Sequence, residues 1–101
     1  MLLIYLDEND MWEQTPLYEA VVRRLRQLDI AGATVHAGVM GYGGGHRVHH
    51  KRLFGISDDR PVTISVIDSE EKIRNAIPEI RRLVGKTLMA LTDVEIVARE
   101  L

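Results

Sequence analysis

The sequence predicts a two-layer α+β domain in which four strands and two helices follow one another in the order β-α-β-β-α-β. Three observations support this prediction. The two ends of the chain have strand-like apolar patterns, two longer segments repeat hydrophobic residues at helical spacing, and two alternating segments flank a long glycine-rich loop. At 101 residues the chain has the usual length of one domain, and we expect a single domain over residues 1–101.

The first part of the chain predicts a strand followed by a helix. Residues 1–7 are short and apolar and end at acidic residues, a pattern typical of a buried strand. The helix is expected over residues 15–29, with Thr15 as its N-cap and Pro16 at its first position. Its apolar face consists of residues spaced three or four apart: Leu17, Val21, Leu25 and Leu28.

Two alternating segments, residues 33–40 and 61–68, predict half-buried strands on either side of a long loop. The loop covers about residues 42–60, and it carries a run of glycines followed by three histidines, two arginines and a lysine through residue 52. Uncovered loops longer than about a dozen residues are usually functional or disordered. We therefore expect this loop to carry the function.

The last part of the chain predicts a helix and a strand. Residues 68–85 repeat apolar side chains at helical spacing. Asp68 or Ser69 is the expected cap, and Pro78 is expected to kink or interrupt the helix. Residues 86–99 then have the pattern of a strand, with a break near its middle.

This order of elements predicts the ferredoxin-like sandwich. Each β-α-β passage takes a right-handed crossover, so both helices are expected on one face of a four-stranded antiparallel sheet. The residues expected on the opposite face are apolar: Leu3, Tyr5, Met40, Ile67 and Met89. An apolar open face in a small domain predicts burial against further copies of the chain.

Composition narrows the functional classes. Thirteen Lys and Arg residues against fifteen Asp and Glu give a net charge of −2, which provides no general attraction for nucleic acids or anionic membranes. The absence of cysteine excludes disulfides and thiolate zinc sites. The apolar start of the chain meets acidic residues too early for a signal peptide or a membrane span, so we expect a cytoplasmic protein without direct membrane insertion.

Five short motifs in order resemble the family called domain of unknown function 190. They are Tyr5 with Asp10, residues 16–19 (PLYE), residues 32–35 (GATV), residues 41–43 (GYG), and residues 57–62 (SDDRPV) followed by Ile67 and Asp68. That family is similar to the PII signalling proteins, which are ferredoxin-like trimers with nucleotide bound between subunits and a long loop, the T-loop, after the second strand. The resemblance implies a homotrimer in which residues 42–60 take the T-loop position.

The PII comparison also implies phosphate-binding residues. Lys86 matches a lysine that meets nucleotide phosphates, and Arg99 matches one of two arginines with the same role. The other arginine falls on Val97, and the adenine-contacting glutamine of the T-loop base falls on Gly45. The resemblance implies an adenine nucleotide or a similar anionic metabolite as ligand, with ATP, ADP or AMP, with or without magnesium, as candidates.

The glycine-rich start of the loop supports an anion site on physical grounds. Consecutive glycines allow backbone N–H groups to converge on a phosphate, and Lys or Arg side chains add charge-assisted hydrogen bonds. An alternative is that the glycines only permit a flexible turn and that Lys86 is solvated. The candidate binding residues are Thr34, Gly41, Gly43, Gly44, Arg47, Lys86 and Arg99.

The loop histidines open a second hypothesis. His46, His49 and His50 are dense enough to bind zinc, copper or nickel, with His36 as a further nitrogen. This would make the chain a metal-binding trimer resembling the CutA proteins. The spacing matches no established zinc motif, and the neighbouring Arg and Lys residues oppose a cation.

Catalysis is not expected. The carboxylates Asp7, Glu8 and Asp10 lie where a turn is predicted, and aspartate is favoured in turns for its local hydrogen bonds. A small enzyme on the same sandwich, like the dimeric α/β-barrel oxygenases, is the remaining alternative. The resemblance instead implies a regulatory protein whose loop signals to a protein partner, with a membrane transporter as one candidate.

Overall fold

The computed structural model describes residues 1–43, 47–50 and 60–97, and for residues 43 and 47–50 it describes the backbone alone. In chain order its strands are β1 (Leu2–Asp7), β2 (Met11–Trp12), β3 (Thr15–Pro16), β4 (Ala33–Ala37), β5 (Met40–Gly43), β6 (Arg47–His50), β7 (Pro61–Val66) and β8 (Met89–Leu91). The helices are α1 (Leu17–Gln27), between β3 and β4, and α2 (Glu70–Val84), between β7 and β8.

Four strands form an antiparallel sheet in the order β4-β7-β1-β8. The two central strands pair along their whole length, from Leu2 opposite Val66 to Asp7 opposite Pro61. The last strand in the chain therefore lies beside the first, and the second and third sheet strands are neighbours on the other side. This is the ferredoxin-like arrangement, and it confirms the predicted fold class.

The core lies between one face of the sheet and the two helices. The even-numbered residues of β1 and β7 are buried, and Ile4 and Ile64, which face each other across the two strands, are 0% exposed. The helices contribute one stripe each: Leu17, Ala20, Val21 and Leu25 from α1, and Ile73, Ala76, Ile80 and Val84 from α2. Full burial of an aliphatic side chain contributes about 1.5–3 kcal/mol, so this single layer accounts for much of the stability.

The start of α1 differs from the prediction. Thr15 is paired with Trp12 in the small β2–β3 sheet, and no side chain caps the helix. The backbone N–H of Leu17 donates instead to the carbonyl oxygen of Asp10, at 2.7 Å. The prediction of Thr15 as N-cap is wrong because the hairpin takes up this residue before the helix begins.

The start of α2 follows the prediction, since the Ser69 hydroxyl accepts a hydrogen bond from the backbone N–H of Lys72 at 3.3 Å. The helix is not interrupted at Pro78. Its buried stripe continues on both sides of the proline, and this packing offsets the hydrogen bond that proline cannot donate. Among the described residues, neither helix has the length and apolarity needed to cross a membrane.

The second sheet strand is shorter than predicted. β4 ends at Ala37, and the backbone N–H of Gly38 donates to the carbonyl oxygen of Pro61 at 2.7 Å. The chain then forms β5, which pairs with β6 in a separate two-stranded sheet. Part of the predicted loop is therefore strand, and residues 44–46 and 51–59 lie outside the described part of the chain.

The last sheet strand is also shorter than predicted. β8 covers only Met89–Leu91, and residues 92–97 have no regular secondary structure. The backbone N–H of Thr92 still donates to the carbonyl oxygen of Met1, at 3.0 Å. Beyond this point β1 has ended, so within the described part of the chain residues 92–97 have no strand to pair with.

The face of the sheet opposite the helices is only half apolar. Leu3 and Tyr5 of β1 lie on it, but their neighbours on β7 are Ser65 and Thr63. Met89 is not on this face, because it pairs with Ile4 and packs against the core. The prediction was therefore wrong for Met89. Ile67 is exposed directly after β7, and Met40 lies in β5, which belongs to a separate two-stranded sheet.

Candidate functional site

A cleft of about 470 Å³ lies at the end of the sheet where β1 stops and β7 begins. Tyr5 and Asp7 come from β1, Pro61 and Thr63 from β7. The β4–β5 junction and the approach to β8 supply further walls: Gly38, Met40, Gly41 and Tyr42 on one side, Thr87 and Leu88 on the other. Four separate segments of the chain therefore converge on this cleft, and its volume lies within the range of small-molecule sites.

The turn after β1 is held by its own carboxylates. Asp7 is 2% exposed, and its Oδ1 accepts a hydrogen bond from the backbone N–H of Asn9 at 2.9 Å. The Oδ2 of Asp10 accepts from the backbone N–H of Asp7 at 3.0 Å, and the N–H of Asp10 donates to the Asp7 carbonyl at 3.0 Å. The turn role expected for both residues is confirmed, but Asp7 is a buried residue and not a surface one.

An ion pair joins this turn to the residue before β7. The guanidinium of Arg60 donates two hydrogen bonds to the Glu8 carboxylate, at 2.9 and 3.0 Å. The backbone N–H of Glu8 donates to the Arg60 carbonyl at 2.8 Å. The hydrogen bonds to Glu8 and its negative charge raise the pKa of Arg60 above its ordinary value. Arg60, where the predicted loop returns to the sheet, is thus tied to the end of β1.

Two glycines allow the β4–β5 junction to lie against Pro61. A Cβ atom on Gly38 would lie 2.8 Å from the Pro61 Cγ, and one on Gly41 would lie 3.4 Å from it. Gly38 was not singled out by the sequence, because nothing in the local pattern identifies its neighbour twenty-three residues later in the chain. The long-range contact alone explains why glycine is needed there.

The sequence-predicted binding residues are distributed over several places. Gly41 lines the cleft, and Gly43 ends β5. Thr34 lies on β4 opposite Ser65, away from the cleft lining. Lys86 is exposed in the turn after α2, one residue before Thr87 of the cleft wall.

The structure describes no side chains for the other predicted residues. The backbones of Arg47, His49 and His50 lie in β6, opposite Gly43, Gly41 and Met40. Gly44, His46 and Arg99 lie outside the described residues. The proposed convergence of Gly41, Lys86 and Arg99 on one phosphate therefore stays a prediction.

The described lining of the cleft contains two carboxylates, Asp7 and Asp10, and neither Lys nor Arg. Its other polar side chains include the hydroxyls of Thr63 and Thr87, and the Thr87 hydroxyl donates to the Val84 carbonyl at 3.0 Å. The remaining walls are aliphatic, aromatic or glycine backbone.

No metal cluster is present among the described side chains, where no three His, Asp or Glu residues converge. The side chains of His46, His49 and His50 are not part of that description. The Nε2 of His36 lies 3.2 Å from the Ser65 hydroxyl on the open face of the sheet. His36 is thus hydrogen-bonded within the sheet.

The sheet order, the shared helix layer and the cleft at one sheet end define a small ferredoxin-like α+β protein. The DUF190 family model, described as Uncharacterized ACR, COG1993, matches residues 1–96. The chain belongs to this family, as the five motifs predicted.

Named relatives support the assignment. A UPF0166 protein of Aquifex aeolicus (strain VF5) is 33% identical over 99 residues, which cover 96% of this chain and 91% of the relative. A UPF0166 protein of Methanocaldococcus jannaschii is 33% identical over 97 residues, which cover 95% of this chain and 89% of the relative. Both similarities extend over the sheet, the helices and the cleft described above.

Proposed function

We propose that this protein is a PII-like regulatory homotrimer that binds an adenine nucleotide or a similar anionic metabolite and signals through the segment between β5 and β7. The observation that carries this proposal is the position of the cleft. It is lined by Gly41 and Tyr42, which lead into that segment, and by Pro61, where β7 begins after it, so a bound molecule would lie beside both ends of the loop region.

The mechanism we propose is a shift in population and not a reaction. A ligand that binds one arrangement of the loop segment better than the others increases the share of that arrangement. If a protein partner also binds that arrangement best, the ligand raises the affinity for the partner, and the partner raises the affinity for the ligand by the same factor. The partner class that the family resemblance suggests is a membrane transporter.

The proposed trimer is supported by the two edges of the sheet. β4 and β8 are the edge strands, and each has one side turned away from the sheet. Pairing of the β4 edge of one copy with the β8 edge of the next is a heterologous contact, which generates a closed ring when the rotation allows. It would also bring part of the open sheet face of each copy towards its neighbours.

Calorimetry tests the proposal directly. The purified protein, with its trimer mass checked by light scattering, is titrated with ATP, ADP, AMP and cyclic AMP, each with and without magnesium. We expect micromolar binding of one nucleotide per subunit. A confirmed trimer that takes up none of the four would overturn the proposed ligand class.

Two substitutions test the phosphate contacts. Lys86→Ala and Arg99→Ala are each expected to weaken nucleotide binding while leaving the trimer intact, because a charge-assisted hydrogen bond contributes about 1.5–3 kcal/mol. Arg23→Ala is the matched control, since Arg23 is an exposed cation on α1 whose partner is Glu19 at 2.7 Å. Unchanged affinity in both variants would remove Lys86 and Arg99 from the site.

The metal-binding alternative stays a prediction, because it depends on the side chains of His46, His49 and His50. Replacing all three with alanine would abolish uptake of zinc, copper or nickel if they form a site. Nucleotide binding would be largely retained in that variant.

A further inference from the structure

A second cleft, of about 670 Å³, lies at the opposite end of β1 from the first. Two of its walls are the segments that follow the strands on either side of β1. Asp68 follows β7, and Thr92 and Val94 follow β8. Because β7 and β8 each lie one strand spacing from β1, about 4.8 Å, the second cleft is one strand wide where it meets β1.

The wall that follows β8 has backbone groups to offer. The N–H of Thr92 donates to the Met1 carbonyl at 3.0 Å, and the Met1 amino group donates to the Thr92 carbonyl at 2.6 Å. Residues 93–97 make no backbone–backbone hydrogen bond with the described part of the chain. Since hydrogen bonding alternates along an antiparallel strand, Val94 and Ile96 are in register to pair next with a strand in line with β1.

The same wall exposes apolar side chains. Val94 is 41% exposed and Ile96 is 49% exposed, and both line the second cleft. Ile73 of α2 lines it as well. Branched side chains of this kind favour strands, and a strand laid against them would remove apolar surface from water. Backbone pairing and apolar burial would therefore act together on one bound segment.

The charge of this wall determines the chemistry of the partner. The charged residues of the segment 92–97 are Asp93 and Glu95, and both are exposed acids. The carboxylates of the opposite wall already have basic partners on α2. A second copy that paired through its own residues 92–97 would bring like charges together, which is unfavourable between strands. Lys or Arg side chains of another protein would form ion pairs with this wall instead.

We propose that the second cleft and residues 92–97 form a docking slot for one strand of a protein partner, a segment in which apolar side chains alternate with Lys or Arg. The partner strand continues the line of β1 and pairs with the backbone of residues 93–97, as in other cases of β-strand addition. The inference goes beyond the proposed function, because the slot lies at the other end of β1 from the first cleft and requires no nucleotide.

Fluorescence anisotropy with labelled, capped hexapeptides tests the slot on the purified wild-type protein. The first peptide alternates lysine with valine, the second alternates glutamate with valine, and the third is the first with its backbone N–H groups methylated. We expect the lysine peptide to bind and the glutamate peptide to bind about tenfold more weakly or worse, because it meets like charge. The methylated peptide should show no measurable binding, because it cannot donate hydrogen bonds to the segment.

A charge reversal locates the binding. Asp93→Lys is expected to weaken the lysine peptide and to strengthen the glutamate peptide, each by about fivefold or more. Asp93 is exposed, so the substitution should leave the fold intact. Glu13→Lys is the matched control, since it makes the same change of charge at an exposed position between β2 and β3, outside the described lining of the second cleft.

The outcomes are distinct. Slower amide hydrogen exchange at residues 93–97 in the presence of the lysine peptide would support the inference. A lysine peptide that does not bind, or that binds no better than the glutamate peptide, would overturn it, as would equal effects of the two substitutions. Loss of the trimer mass in Val94→Pro would assign the segment to contacts between copies and would also exclude the slot. Absence of nucleotide binding in the same sample would overturn the proposed function and leave the slot in place.

Discussion

The two faces of the sheet use the same strands for different purposes. On the helix side, the buried residues of β1 and β7 are all aliphatic, and several are fully inaccessible to water. On the open side, the alternate residues of the same strands include Leu3 and Tyr5 next to Ser65 and Thr63. One face therefore holds the subunit together, whereas the other is a mixed polar and apolar surface that we propose for contacts with further copies of the chain.

The largest expected effect is on the helix side. Ile64→Ala should lower the free energy of unfolding by about 2–5 kcal/mol, because it leaves a cavity in a core with little freedom to collapse. Ser65→Ala, one residue later on the open face, should cost less than about 1.5 kcal/mol, the upper range for one hydrogen bond such as that with His36. Chemical denaturation measures both, and equal losses would contradict the division between the faces.

The next largest expected loss of stability is at the end of the sheet that borders the cleft. Gly38→Ala should lower the free energy of unfolding by about 1–3 kcal/mol, because the new Cβ would lie 2.8 Å from the Pro61 Cγ. Gly32→Ala is the control, since nothing lies within 4 Å of a Cβ at that position. A thermal melt in which the two variants behave alike would show that the junction adjusts without cost.

A third prediction probes the open face as a contact between copies. Leu3→Lys should dissociate the proposed trimer, because a lysine buried against another subunit would lose hydration without a partner. Asn75→Lys, on an exposed position of α2, should leave the assembly unchanged. Light scattering measures both masses, and a trimeric Leu3→Lys variant would exclude this face from the interface.

The smallest effect lies within the helix layer and depends on pH. Glu79 of α2 forms ion pairs with Arg24 of α1 and with Arg82, and the hydrogen bond from Arg24 holds the pKa of Glu79 below its ordinary value. The Glu79 carboxylate therefore stabilises the folded state fully above a pH of ~4.3, the ordinary pKa of glutamate in an unfolded chain. This stabilisation is lost as the pH falls through the lower pKa of Glu79 in the folded state.

A substitution isolates that contribution. Glu79→Gln should lower the denaturation midpoint slightly at neutral pH, and the difference from the wild type should shrink as the pH falls below the folded pKa. The comparison is made by urea unfolding at several pH values. A difference that grows in acid would contradict the assigned direction.

Much of the fold was predictable because its signals are local. The alternation of Val62, Ile64 and Val66 predicted a half-buried strand, and the helical spacing around Ile73 predicted α2. The errors fell where a distant residue decided the outcome. Thr15 was expected to cap α1 but is paired with Trp12, and the last strand ends early because its neighbour β1 has ended.

The candidate site was predictable only in part. The glycine run directed attention to Gly41, which does line the cleft. The cleft's carboxylates were expected only as turn residues, and its lack of basic side chains among the described lining was not expected at all. Neither property is visible in a pattern, because it depends on which four segments meet.

The sequence by itself determined the order of the two helices and the four strands of the main sheet, the faces that the helices and the two central strands bury, and the family to which the chain belongs. These follow from residue periodicity and short motifs, which act over a few neighbouring positions. Only the tertiary structure decided where β4 and β8 stop, why Gly38 must be glycine and which side chains share the cleft. Those features arise from contacts between residues far apart in the chain, and a linear pattern carries no information on which distant segments will touch.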